Sequence, residues 1–389
     1  MTSTKVPLLD VNIQNQPLAS ELRDAFDRVL SHGRFILGDE VTDFEAAVAA
    51  ELGVKHAIGV SSGTDALLLA LMALDIGPGD EVICPSFSFF ATAGAIARTG
   101  ATPVFADVCP VTFNLDPEST VNLITTKTKA IIPVHLYGQS APMDELMTIA
   151  HNHQLKVIED AAQSFGAAYR GTALGAIGDF GCFSFFPSKN LGGLGDSGLL
   201  TTNDDALADK AAYLRNHGMN PKYYHAMIGG NFRIDALQAA LLSVKLPHHR
   251  QYSHARAENA AYYLKGLAAH GQPASYDQPE SAKLILPTAL ADNTHIWNQF
   301  TLRLPVAPDA TSLPRDALKA WLAERDIGSE IYYPVPFNQQ ECFAHLPKAE
   351  CPVSDQLARE VLSIPVYPEL TDAQLDAVIE GVSEFVATL

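Results

Sequence analysis

The chain has 389 residues, of which 47% are apolar and 18% are charged. This composition provides ample apolar surface for a folded core, argues against intrinsic disorder, and suits a protein of two domains. The 44 acidic residues outnumber the 26 lysines and arginines, so the formal net charge is −18. A surface this acidic disfavours nucleic acid and anionic membranes as partners, although a locally positive pocket would still accept an anionic small molecule.

The N-terminal segment and the cysteines predict a cytoplasmic protein. Residues 1–16 contain one lysine and no long apolar stretch, which argues against a signal peptide. No run of about 18 apolar residues occurs, so no transmembrane helix is expected. The five cysteines include no CxxC pair, which favours reduced thiols over a disulfide framework or a cysteine metal site.

Residues 40–245 alternate between short apolar runs and longer helical patterns. Strands are predicted over 56–60, 81–84, 102–105, 130–134 and 156–160, and helices over 66–74, 91–98 and 143–154. This alternation, with apolar strands, is typical of a mostly parallel sheet that helices cover on both faces.

The pattern changes near Pro247, and we place the domain boundary there, between residues 1–246 and 247–389. The elements predicted beyond it are a long helix over 248–267, polar turn-rich residues over 271–279, a strand near 300–304, and helices over 313–325 and 371–385. Thr371-Asp-Ala-Gln374 resembles a capping box at the start of the last helix.

The segment Ser61-Ser-Gly-Thr64 lies between a predicted strand and a predicted helix. A small-residue turn leaves backbone N–H groups free at a helix N-terminus, which suits a phosphate group. Serine and threonine also cap helices that bind nothing, so the segment alone fits either role.

Glu159 and Asp160 end a predicted buried strand. The carboxyl ends of parallel strands face the ligand crevice, where a carboxylate can pair with a protonated ring nitrogen or bind a cation. Capping of the next helix is an equally good interpretation of this pair taken alone.

Lys189 is the one charged residue between Gly181 and Gly195, in a segment rich in aromatic residues and glycines. Desolvation disfavours the ammonium form, so a shielded lysine becomes a nucleophilic amine that can form a Schiff base. The alternative is an exposed loop lysine.

Several other patterns are interpreted as having no catalytic role. Residues 193–198 match GxGxxG but continue into a strand-like run, so a dinucleotide site is rejected. Histidines occur in pairs at 151 and 153 and at 248 and 249. Neither pair has the spacing of a helical metal site, and no metal is expected. His135 and His225 each adjoin a candidate segment.

A phosphate-binding turn, a strand-end carboxylate and a shielded lysine, in this order, together fit pyridoxal 5'-phosphate (PLP). Its phosphate needs N–H and hydroxyl donors, its pyridine nitrogen needs an acidic partner, and its aldehyde needs a lysine. The three features together indicate PLP far more specifically than any one of them does alone.

The chain also resembles the DegT/DnrJ/EryC1/StrS family of PLP-dependent nucleotide-sugar aminotransferases. The similarity runs nearly end to end, through motifs at 33–38, 60–67, 135–139, 157–163, 183–192, 230–235, 331–334 and 365–370. It implies an α/β protein with the aspartate aminotransferase-like (type I PLP) fold. In that fold a large domain with a mostly parallel sheet is followed by a smaller C-terminal α+β domain.

The resemblance assigns roles to individual residues. Lys189 would hold the cofactor and act as acid and base, and Asp160 would pair with the pyridine nitrogen. The other cofactor-binding residues would be Gly63, Thr64 and Ser184 for the phosphate, Phe89 for the ring face, Gln163 for the 3-hydroxyl, and Asn231 for the phosphate in a neighbouring subunit. This last role implies a homodimer with shared active sites.

The reaction implied by the resemblance is a transamination from glutamate to a keto sugar on a nucleoside diphosphate, in amino-sugar or polysaccharide biosynthesis. Residues 135–139 resemble members that aminate C-3; amination at C-4, a cyclitol (inosose-type) acceptor, and a PLP-fold regulatory module without turnover are the alternatives. Lys189 argues against the family's dehydratases, which carry histidine there. Candidate substrate contacts are Arg34, His225, Arg233, Tyr332 and Tyr333.

Overall fold

The computed structural model describes residues 4–276 and 282–389. The helices are α1 (Val11–Asn15), α2 (Ala19–His32), α3 (Asp39–Leu52), α4 (Gly63–Ala73), α5 (Ala91–Arg98), α6 (Pro117–Asn122), α7 (Met143–His153), α8 (Asp205–Arg215), α9 (Ala236–Lys245), α10 (His249–Leu267), α11 (Pro314–Ala323), α12 (Pro352–Glu360) and α13 (Asp372–Thr388). The strands are β1 (His56–Val60), β2 (Glu81–Pro85), β3 (Thr102–Ala106), β4 (Thr128–Ile131), β5 (Lys156–Asp160), β6 (Ala168–Tyr169), β7 (Thr172–Ala173), β8 (Phe180–Ser184), β9 (Gly198–Thr202), β10 (Gln272–Pro273), β11 (Ile285–Leu286), β12 (Asn293–Thr294), β13 (Phe300–Arg303) and β14 (Val361–Ile364).

A seven-stranded sheet forms the centre of the N-terminal part, in the order β1-β9-β8-β5-β4-β2-β3. β9 pairs antiparallel with both neighbours, whereas the pairs β8–β5, β5–β4, β4–β2 and β2–β3 are parallel. The predicted mostly parallel sheet is therefore confirmed.

Neighbouring strand residues point in opposite directions, so the apolar strands of this sheet present apolar side chains on both faces. Helices cover both of these faces. On one face Cys182 packs in a core with residues of α4, α5 and α8. On the other face Phe183 packs with residues of α2, α3 and α9. Eight of the 11 residues of α4 are buried, so this helix lies deep in the core and its start is held in place.

A second core lies in the C-terminal part, on a four-stranded sheet in the order β10-β11-β13-β14. Tyr263 from α10, Leu318 from α11 and Val378 from α13 pack against Phe300 of this sheet, and Val6 joins the same core. A mixed sheet with helices on it agrees with the predicted smaller α+β part. The division at residue 246 falls where α9 leads through a short 3₁₀ turn into α10, and it stays a prediction.

The predicted elements agree closely with the observed ones, with one clear shift. The strand predicted over 130–134 is observed as Thr128–Ile131, and Val134 instead forms an isolated bridge with Asp160. The rejected GxGxxG segment indeed leads into strand β9, and Thr371 and Gln374 form the predicted capping box. Of the turn-rich segment 271–279, residues 277–279 lie outside the described residues.

Two further predictions concern the membrane and the cysteines. Over residues 4–276 and 282–389, no helix is both long and apolar enough to cross a membrane. All five cysteines are free, and only Cys342 is exposed.

Candidate active site

One cavity of about 470 Å³ brings together most of the predicted site residues. The predicted residues that line it are Gly63, Thr64, Phe89, Asp160, Gln163, Ser184, Lys189, Tyr332 and Tyr333. A larger cavity of about 750 Å³ lies elsewhere, and none of the predicted residues lines it. The smaller cavity is therefore the candidate active site.

The start of α4 forms the first wall of the cavity. Ser62 caps the helix, its Oγ accepting a hydrogen bond from Asp65 N at 3.1 Å. A Cβ on Gly63 would lie only 2.8 Å from Ser184 Cβ, so a glycine is needed for this close approach. Gly63, Thr64 and Ser184 thus surround a helix N-terminus with backbone N–H groups and hydroxyls, which is the donor set that a phosphate requires.

Asp160 ends the central strand β5 and is buried beneath the cavity. Its Oδ2 accepts a hydrogen bond from Thr92 Oγ1 at 2.7 Å, and its Oδ1 accepts one from Ala162 N at 3.2 Å. Burial raises the pKa of Asp160, while these two donors and the charge of Lys189 act in the opposite direction. A buried carboxylate held by donors on both oxygens is suited to pairing with a cationic ring nitrogen.

Lys189 lies on the loop between β8 and β9 and lines the cavity. Desolvation by the surrounding protein lowers its pKa to about 8, and the charge of Asp160 partly opposes this shift. Lysine ordinarily has a pKa near 10.4. A much larger share of the amine is therefore neutral near neutral pH, as a nucleophile or a base requires.

The lysine loop is anchored from beneath by buried polar side chains. Asn190 donates from Nδ2 to Ile296 O at 3.0 Å and accepts from Asn298 Nδ2 at 2.8 Å. Lys245 donates from Nζ to Gly192 O at 2.6 Å. Burial also lowers the pKa of Lys245 to about 8, but this lysine does not line the cavity.

Gln163 and two aromatic rings also line the cavity. Gln163 accepts from Tyr137 N at 2.8 Å and donates from Nε2 to Tyr333 Oη at 3.0 Å. The rings of Phe89 and Tyr333 are 6.1 Å apart, and Phe89 is 57% exposed. An exposed aromatic face in this cavity provides a surface on which a flat ring can stack.

Four predicted residues do not line this cavity, and they lie on exposed or half-buried segments. Arg34 pairs with Asp39 at 2.9 Å, and Arg233 Nη1 donates to Asn216 Oδ1 at 2.6 Å. His225 Nδ1 lies 2.9 Å from a backbone oxygen of the same loop, and Asn231 is exposed on a bridge with Asn216. The roles of these four stay predictions.

His135, whose segment adjoins the site, is fully buried in a pair with Glu159 and does not line the cavity. The distance from its Nε2 to Glu159 Oε2 is 2.9 Å, and its Nδ1 accepts from Ala141 N at 3.1 Å. Glu159 also accepts hydrogen bonds from three backbone N–H groups. This residue pair therefore supports strand β5 behind Asp160.

The sequence interpretation missed several polar residues of the site, among them Ser88 and Asp196, which line the cavity. Thr92 and Gln299 were missed as well. Thr92, in the first turn of α5, bonds to Asp160, and Gln299 lines the cavity from the C-terminal part of the chain. Thr92 follows Phe89 by one helical turn, so its position next to a predicted ring-stacking residue was an available signal. No local pattern marks Gln299, since it reaches the cavity only through the tertiary fold.

The model of the DegT/DnrJ/EryC1/StrS aminotransferase family matches residues 17–383. The chain belongs to this family. Membership confirms the predicted family and enzyme class.

Two relatives and one solved structure illustrate the similarity. A protein of Geobacillus stearothermophilus named pleiotropic regulatory protein is 45% identical, over 98% of each chain. The UDP-N-acetyl-3-dehydro-alpha-D-glucosamine 3-aminotransferase of Acidithiobacillus ferrooxidans is 44% identical, over 96% of each chain. The crystal structure of S. venezuelae DesV in complex with a ketimine intermediate is 40% identical, covers 99% of each chain and has a TM-score of 0.90. This likeness confirms the predicted fold class.

Proposed function

We propose that this aminotransferase uses PLP to move an amino group from glutamate to a keto sugar linked to UDP or dTDP, at C-3, in amino-sugar biosynthesis. The observation that carries the proposal is the meeting of the α4 N-terminus, Asp160 and Lys189 around one cavity. We also infer a cytoplasmic location from the five free thiols, which fractionation of the expressing cells would test.

The residues present fit the cofactor. Gly63, Thr64 and Ser184 would hold its phosphate, Asp160 its pyridine nitrogen, and Lys189 its aldehyde carbon. When bound, PLP supplies the electron sink and carries the amino group between the two substrates. Gln163 is already bonded to Tyr333, so contact with the 3-hydroxyl would add to this bond or replace it.

The chain's own side chains account for the proton movements of both half-reactions. Each half-reaction removes one proton and delivers one, and the Lys189 amine can do both because its lowered pKa lies close to neutral pH. Asp160 is held by Thr92 and Ala162 N–H, and its negative charge would pair with the ring nitrogen of the bound cofactor. Phe89 and Tyr333 line the cavity and would orient the ring.

Amination at C-3 is supported by the name of the Acidithiobacillus relative, whose substrate is a 3-dehydro sugar on UDP. A C-4 keto sugar and a cyclitol ketone are the competing acceptors. Purified protein would be incubated with glutamate and each of UDP-3-keto, dTDP-3-keto and dTDP-4-keto sugars and an inosose, and NMR of the product would locate the new amine. Turnover of only the 4-keto sugar or the inosose would refute the proposed acceptor.

The Geobacillus relative, named as a regulatory protein, favours a second candidate function without turnover. The lowered pKa of Lys189 and its place in the cavity argue for catalysis instead. A spectral change of the PLP-loaded protein on addition of glutamate would support the aminotransferase. Bound PLP that responds to no amino donor would support the regulatory role.

We expect capture of PLP by the cofactor-free protein to accelerate as pH rises to about 8 and then to level off. The neutral amine is the nucleophile, and with the pKa of Lys189 lowered to about 8, most of it is neutral above that pH. Stopped-flow absorbance would measure the rate from pH 6 to 10, with a simple alkyl amine as the reference. A rate that still rises at pH 10, as for the alkyl amine, would contradict a desolvated Lys189.

We further propose a homodimer with shared active sites. Lys189 is the one cationic side chain among the described residues that line the cavity, yet a nucleoside diphosphate needs more positive charge. Arg34, Arg233 and Asn231 lie outside the cavity of their own chain. Exposed apolar residues accompany them on the same segments, namely Phe35, Ile36, Tyr223, Tyr224 and Ile228, as a buried interface would require.

Mixing two inactive variants would test the shared site. In a hybrid dimer of Lys189→Ala and Asn231→Ala subunits, one site receives Lys189 from one subunit and Asn231 from the other. Random reassociation at limiting PLP should restore about a quarter of wild-type activity, because half of the dimers are hybrids with one intact site. No recovery in a mixture shown to exchange subunits would mean that Asn231 serves its own chain.

A further inference from the structure

Thr92 is fully buried in the first turn of α5, with its hydroxyl aimed at the strand-end carboxylate of the site. Its Oγ1 lies 2.7 Å from Asp160 Oδ2, 3.3 Å from Ser88 Oγ and 3.2 Å from Phe89 O. The shortest contact is the one with the carboxylate, and a hydroxyl has a single proton to donate. Thr92 therefore donates to Asp160, and the more distant Ser88 hydroxyl is placed to donate to Thr92.

We propose that Thr92 is a positioning residue for the aminotransferase reaction: its hydroxyl holds the Asp160 carboxylate in one orientation and favours its charged form. Its action on the ring nitrogen passes through Asp160. This inference rests on the proposed function, because it needs a cofactor whose pyridine nitrogen faces Asp160.

The surroundings of Asp160 explain why one hydroxyl matters. Burial favours the neutral acid and raises its pKa, and the Thr92 hydroxyl is the strongest influence that lowers it, ahead of Ala162 N–H, Lys189 and His135. A neutral Asp160 could not keep a proton on the ring nitrogen, and the electron sink would weaken. Hydrogen bonds to charged groups are worth about 1.5–3 kcal/mol, which corresponds to a factor of about 10 to 100 in an equilibrium or a rate.

Segment 88–92 contains both Thr92 and Phe89, the residue on which the cofactor ring is predicted to stack. Phe89 lines the cavity one turn before Thr92, and its carbonyl is the weaker alternative acceptor of the Thr92 hydroxyl. A purely structural role, as a cap of this turn, therefore competes with the positioning role. The two roles differ in what they predict for the protonation of the cofactor.

The test compares PLP-loaded wild-type protein with Thr92→Val, which keeps the shape and removes the hydroxyl, and Thr92→Ser, which keeps the hydroxyl. Each is loaded with ¹⁵N-labelled PLP, and the ¹⁵N chemical shift of the ring nitrogen reports its protonation. We expect wild type and Thr92→Ser to show the protonated shift. Thr92→Val should move towards the unprotonated shift, and its kcat should fall about 10- to 100-fold with little change in the KM for the acceptor.

The outcomes separate the inference from the function on which it rests. Wild-type protein that binds no PLP would refute the proposed function, and with it this inference. Wild-type protein with a protonated ring nitrogen, matched by Thr92→Val in both shift and kcat, would overturn the inference alone. If Thr92→Val does not fold, Thr92→Ala replaces it, and an unchanged shift there would count equally against the positioning role.

Discussion

Replacing Lys189 with alanine is expected to lower turnover by at least about 1,000-fold, because one amine serves as cofactor anchor and as acid and base. Lys189→Arg should be equally inactive, since a guanidinium keeps its proton at neutral pH and is a poor nucleophile. Steady-state rates with glutamate and the best acceptor would measure both variants. Full activity in either variant would show that Lys189 is neither the cofactor anchor nor the acid and base of the reaction.

Chemical labelling gives an independent measurement of the same lysine. Borohydride reduction of the PLP-loaded protein, followed by peptide mass mapping, should place the label on Lys189. The chain offers its own control in Lys245, a buried lysine whose pKa is likewise lowered to about 8. Lys245 bonds to Gly192 O and does not line the cavity. A label on Lys245 would show that a low pKa alone, without the cavity, decides the reaction.

Asp160→Asn is expected to lower kcat by about 100- to 1,000-fold with little change in fold. The amide has the same shape and can still accept from Thr92, but it lacks the charge that keeps a proton on the ring nitrogen. Removing one partner of a buried charge pair typically costs about 3–5 kcal/mol, and the lower part of this range, about 3–4 kcal/mol, corresponds to rate losses of this order. The ¹⁵N shift of bound PLP should move towards the unprotonated value, as in Thr92→Val but further.

Asp75→Asn is the matched control for this charge removal. Asp75 pairs with Lys210 at 2.6 Å and is largely exposed, and exposed ion pairs contribute about 0–1 kcal/mol. Its kcat should stay within about twofold of wild type, because surface substitutions have small effects. If Asp160→Asn behaves like Asp75→Asn, the ring nitrogen does not depend on Asp160.

Much of the fold was predictable because local periodicity records which side of a segment is buried. The strands at 56–60 and 156–160 and the helix at 91–98 occur as predicted. The strand predicted over 130–134 was misplaced, because Pro133 and Val134 belong to the same apolar run but leave the ladder. Val134 then pairs singly with Asp160. Apolar runs indicate burial, but they do not indicate where strand pairing stops.

Part of the candidate site was also predictable, namely the residues whose chemistry is unusual for their surroundings in the sequence. Lys189 is a lone charge among aromatic residues and glycines, and Asp160 is a carboxylate at the end of an apolar strand. Gln299 and Asn190 lack such contrast. Their importance follows from partners far away in the chain, as in the bond of Asn298 to Asn190 across 108 residues.

Chain order and residue chemistry alone identified the element types, the family resemblance and the candidate lysine and aspartate, since these depend on patterns of a few neighbouring residues. Only the folded chain revealed that Thr92 reaches Asp160 across 68 positions, and that His135 supports Glu159 away from the cavity. It also established that β9 lies between β1 and β8. Such contacts arise when distant segments are packed together to bury their apolar faces, and that packing is a property of the whole chain.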